Sequence, residues 1–79
     1  MTQTRSYTVV LQPEPDGGYS ASVPAFPEIA ARGDDEAHVL HEVREAIEGA
    51  IAARRGSGER IPAGDASYVR NVTVPLATA

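Results

Sequence analysis

The stretch GDDEAHVLHEVREAIEGAIAARRG, residues 33–56, decides how the rest of this chain is read. Val39, Leu40, Val43, Ile47, Ala50 and Ile51 recur at three- and four-residue intervals, the period of a helix that buries one face. His38, His41, Glu42, Glu45 and Glu48 fall on the other side. Asp35 is the expected N-cap, its carboxylate accepting from first-turn amides, and Asp34 and Glu36 suit the positive end of the helix dipole. Arg54 and Arg55 close the last turn, where cations are favoured, and Gly56 is the expected C-cap. The spacing predicts one amphipathic helix from Glu36 to about Arg55.

Upstream of it the period changes from 3.6 to two. In residues 7–11, Tyr7, Val9 and Leu11 share one face against Thr8, with Val10 breaking the pattern, so a half-buried strand is expected. Pro13-Glu14-Pro15-Asp16-Gly17-Gly18 is dense in turn residues and reads as a hairpin connection. Tyr19, Ala21 and Val23 alternate with Ser20 and Ser22 in the return strand, and Pro24 ends its pairing because it has no N–H to donate. Residues 24–28 form a rigid bend, and residues 29–32 read as a brief third strand. Downstream of the helix, residues 57–66 are a polar loop around Ile61-Pro62. Tyr68, Val72 and Val74 then share a face in a last strand that stops at Pro75. The order is β-β-β-α-β: an α+β fold with an antiparallel sheet and one amphipathic helix packed on a face.

Composition bounds what such a fold can do. Seventy-nine residues make one domain, with a core over about residues 5–75. With no cysteine there is no disulfide and no thiolate metal ligand, which fits a reducing cytoplasm, the expected location. No run approaches the roughly 20 apolar residues that span a bilayer, and the polar first six residues do not read as a signal peptide. The formal net charge is −4 with a pI near 4.9, so the bulk surface repels phosphate and suits a basic partner. A core this small, with sheet edges exposed, favours pairing between copies, and a homodimer or homotetramer is expected.

Several fragments fall in a familiar order: Asp16-Gly17-Gly18-Tyr19, Val23-Pro24-x-Phe26-Pro27, Gly33-Asp34-Asp35-Glu36-Ala37, the helix, and Gly58-Glu59-x-Ile61-Pro62. In this order the chain resembles the HicB-like antitoxin family over about residues 7–74. The resemblance implies a truncated ribonuclease-H-like β-β-β-α-β unit. It also implies a partner, a small basic HicA-like toxin that cleaves mRNA and is silenced when the antitoxin covers its active surface. The alternative is an orphan, self-associating HicB-like domain with a different regulatory partner. Two positions depart from the family pattern. Glu28 stands where glycine usually follows the second proline of the bend. The four residues after Pro75 are too few for the DNA-binding segment many members carry, so DNA-level autoregulation is not expected.

No residue set argues for catalysis. A two-metal nuclease site needs carboxylates converging from strands and a helix. Glu14 and Asp16 sit in a turn, Asp34 and Asp35 are accounted for by capping, and the first strand offers none. No serine or threonine is placed beside a histidine as a nucleophile. His38 and His41 are three apart with no third ligand, so metal binding is not expected, nor is any cofactor. At a partner surface the same pair would make contact proton-linked, because histidine titrates near neutrality. Gly17-Gly18 opens a strand, the wrong context for a phosphate loop. Arg54, Arg55 and Arg60 are read as dipole complements and solubilising charge. The candidate partner-binding residues are the acidic stripe Glu42, Glu45 and Glu48, with His38, His41 and Phe26. Phe26 sits between two prolines, as a core plug or an exposed anchor, with the core favoured.

Overall fold

A computed structural model describes residues 4–64 and 70–77 of the chain. Three antiparallel strands, β1 (Val10–Pro13), β2 (Tyr19–Ser22) and β3 (Ala30–Gly33), pair in the order β1-β2-β3, and α1 (Glu36–Ser57) follows. Helix on one sheet face makes an α+β domain of two layers. Among the described residues no helix is long and apolar enough to cross a membrane.

The hairpin shows why β1 lies further along the chain than the alternation placed it. Gly17 N–H donates to Glu14 O at 3.0 Å, and Glu14 N–H to Gly18 O at 2.7 Å. Gly17 has φ +96°, a left-handed value that glycine adopts without a Cβ clash. A three-residue loop, Pro15-Asp16-Gly17, therefore suffices, which is the turn-plus-bulge hairpin. Asp16 Oδ1 accepts from Gly18 N–H at 3.1 Å and fixes the turn. With the loop this short, Gln12 and Pro13 join the ladder opposite Ser20 and Tyr19. Backbone groups alternate sides along a strand, so Glu14, Gln12 and Val10 bond toward β2 while Pro13 points outward. The missing N–H of Pro13 thus falls on the free edge and costs no bond. The parity of the faces is as read from the alternation: Leu11 and Val9 pack on the core, and Val10 is exposed.

Among the described residues, Ala21, Val23, Phe26, Ile29, Val39 and Val43 are buried, and no polar side chain is buried with them. Phe26 has no exposed surface, so the choice between plug and anchor falls to the plug; a partner docking on this conformation does not reach its ring. The bend explains how. Phe26 N–H donates to Val23 O and Ile29 N–H to Phe26 O, at 3.0 and 2.9 Å. Two successive turns roll the ring under the sheet, against Tyr7 edge-to-face at 5.1 Å between centroids.

Asp35 caps α1 as expected, its Oδ1 accepting from His38 N–H at 2.8 Å. The C-terminus is corrected by two residues. Gly56 lies inside the helix, and the left-handed residue is Gly58, φ +77°. Glu59 N–H returns to Arg54 O at 2.9 Å and Gly58 N–H to Arg55 O at 3.4 Å, the paired bonds of a Schellman closure. Either glycine has the freedom for that closure, and the amphipathic period does not choose between them.

The last strand is also corrected. Tyr68 lies outside the described residues. Residues 70–77 carry no strand and are exposed throughout. Period-two alternation marks a segment suited to a sheet but does not say which edge it joins, and strand propensity takes effect only against a neighbour.

Gly33 sets how closely the helix can start above the sheet. A Cβ there would stand 2.6 Å from His38 Cδ2 and 2.8 Å from Val39 Cγ2. His38 is exposed and can swing away, but Val39 is fully buried and cannot. Gly33→Ala is therefore expected to cost about 1–3 kcal/mol through forced displacement of the first turn. Urea unfolding checks this; a midpoint equal to the parent's would show that the turn yields freely.

Candidate protein-binding face of the helix

Burial of Val39 and Val43 fixes which way the rest of α1 points. Glu42, Glu45 and Glu48 are exposed in a stripe that runs from the flank of α1 to the side away from the sheet, with His38, His41 and Arg44 beside them. Each carboxylate has a basic neighbour one turn back: His38 Nε2 to Glu42 Oε1 at 3.9 Å, His41 Nε2 to Glu45 Oε1 at 3.0 Å, and Arg44 Nε to Glu48 Oε1 at 3.6 Å. All six side chains are at least half exposed, so these pairs add only tenths of a kcal/mol each. A histidine partner is cationic only when protonated. The stripe the sequence singled out is thus a continuous polar surface facing solvent, weakly tied internally and open to a partner's charges.

The two histidines each lie by their own glutamate one turn on. Among the described residues, no three His, Asp or Glu side chains are grouped as metal ligands.

The arginines separate. Arg54 Nη2 meets Glu28 Oε2 at 2.9 Å, its guanidinium lies 4.6 Å from the Phe26 ring centroid, and its side chain is only 21% exposed. It closes the core beneath α1 and is not part of a basic patch. Glu28, the residue that departs from the family pattern, is the one that anchors it. Sequence reasoning missed this contact; the signal was that departure itself, a charged residue where the resemblance implied glycine.

Two depressions lie among the described residues. An open cleft of about 420 Å³ lies at the hairpin end of the sheet, where Arg32 Nη2 stands 3.8 Å from Asp16 Oδ2 beside Gly18, Gly33 and Asp34. A crevice of about 110 Å³ lies among Arg5, Tyr7, Ile51, Arg55 and Ile61. Arg5 is turned to backbone there, donating to Pro62 O at 3.0 Å, and Tyr7 Oη donates to the same oxygen at 2.6 Å. Neither depression joins a nucleophile to a base.

The chain is similar to the UPF0150 protein Ta0767 of Thermoplasma acidophilum, with 32% identity over 63 residues that cover 80% of this chain and 91% of that one. No family model matches the chain. No solved structure matches it.

Proposed function

The chain belongs to the UPF0150 family, and from that premise we propose that it is a HicB-like antitoxin, a binding module that neutralises a small basic mRNA-cleaving protein by covering its active surface. The observation that carries the reading is the outward face of α1, where three carboxylates lie exposed on a rigid helix of an acidic chain. A nuclease that holds RNA presents cationic groups at its active surface, and a helix bearing fixed carboxylates competes for them. The motif order from the hairpin to Ile61-Pro62 supports the same reading.

Placed in the cytoplasm, such a module needs no metal and performs no chemistry. Its action is occlusion. Affinity would come from desolvated apolar contacts, with the charged stripe setting encounter and orientation.

Co-expression with a short basic open reading frame adjacent to its gene is the direct test. The pair is expected to co-purify, and growth arrested by the basic protein alone is expected to recover. A basic neighbour that arrests growth and is neither bound nor relieved by this chain would overturn the reading and leave an orphan domain with another regulatory partner.

A further inference from the structure

The large apolar side chains left in solvent are not spread over the molecule. Val72, Val74 and Leu76 are 84%, 67% and 90% exposed, and among the described residues the other large apolar side chains in solvent are Val10 and Leu40, at 36% and 40%. The molecule is 58 Å long against 26 and 22 Å in its other dimensions. Residues 71–77 carry no charge, on a chain whose net charge is −4.

The body has a place that such an arm fits. Helix α1 lies chiefly over β2 and β3, leaving β1 as the least covered strand. Leu40, Ile47 and Ile51 share one flank of α1 by their spacing, and Ile51 meets Arg5 and Tyr7, so that flank looks toward the β1 side. By the parity fixed at the hairpin, Leu11 turns its backbone N–H and C=O outward from the sheet and its side chain toward the core. In the arm, Val72, Val74 and Leu76 fall on one face, and their backbone groups all point to one side. The missing N–H of Pro75 falls on the other side, where no ladder bond is needed. Residues opposite each other in a ladder share a face. Val74 set against Leu11 in an antiparallel ladder therefore puts all three apolar side chains on the core face, toward the flank that carries Leu40, with Val72 opposite Pro13, whose missing N–H leaves one bond out of the ladder.

We infer that residues 71–77 of one copy form the fourth strand on the β1 edge of a second copy, and that the exchange is reciprocal. The second copy is the fitting occupant for three reasons. The apolar side chains of the arm are left uncovered by its own body. It carries no charge, on a chain whose acidic bodies repel one another. Three apolar side chains per arm, at roughly 100 Å² each, with the surface they cover on both copies come to about 1,200 Å², the lower bound of a stable interface. This inference does not depend on a basic partner: a chain that dimerises yet binds none would leave it standing.

Light scattering on the full chain at tens of micromolar is expected to give a dimer. Val74→Asp, which touches no buried residue, is expected to raise the dimer dissociation constant at least tenfold while leaving the circular dichroism unchanged. Leu40→Asp is expected to weaken the dimer less. Because the chain has no cysteine, a second measurement is clean. A Val74→Cys chain mixed with a Leu11→Cys chain is expected to give a disulfide between the two. A monomeric parent, a Val74→Asp variant that stays fully dimeric, or a Val74→Cys/Leu11→Cys chain that closes only on itself would each overturn the exchange.

Discussion

Phe26→Ala is expected to abolish cooperative folding or to lower the melting temperature by roughly 12–40 °C. Among the described residues, Phe26 is the largest fully buried side chain and one of six that are buried, and it joins three parts of the chain. Tyr7 meets its edge from the strand leading into β1, Arg54 covers its face from α1, and Glu28 holds Arg54 there. Truncating a buried phenylalanine costs about 3–5 kcal/mol, because the transfer energy is lost and the cavity collapses only partly. A chain this size has roughly 4–12 kcal/mol in all. The loss therefore approaches the whole margin. Phe26→Leu keeps most of the volume and is expected to retain a sharp transition at lower temperature. Thermal denaturation followed by circular dichroism reads both, and an alanine variant melting within a few degrees of the parent would show that the bend does not organise the core.

That result would also mark where the sequence stops being legible. The helix, its N-cap at Asp35 and the inward faces of β1 and β2 follow from local pattern, because period and capping are local properties of the chain. The short hairpin loop, which draws Gln12 and Pro13 into β1, follows only once the bonds of Glu14 are known. Gly56 and Gly58 are equivalent as letters; the bonds to Arg54 and Arg55 choose Gly58. Glu28 and Arg54 are 26 positions apart, and no pattern within either segment brings them together. Residues 70–77 are the sharpest case, since their alternation is right for a strand while their partner edge lies outside anything the segment encodes. The acidic stripe was readable along α1 because helical geometry alone puts Glu45 and Glu48 opposite Val39 and Val43, with Glu42 on the flank that leads to them.

That face carries the other large expected effect. Reversing Glu42, Glu45 and Glu48 together to lysine adds six charges and takes the formal net charge from −4 to +2. The fold should scarcely register it: all three side chains are at least half exposed, and the pairs lost with His38, His41 and Arg44 are solvent-screened. Encounter with a basic partner is different, since complementary fields raise association rates by about 10- to 1,000-fold and like charges remove that gain. The association rate with the co-purified basic protein is expected to fall by about 10- to 100-fold at low salt. The parent's rate should drop steeply as salt rises while the variant's stays flat. Replacing the same residues by glutamine removes charge without reversing it and should fall between the two. Stopped-flow measurements across a salt series separate these outcomes. If the lysine variant associates as fast as the parent at low ionic strength, the partner docks elsewhere, and the outward face of α1 serves only to keep an acidic protein in water.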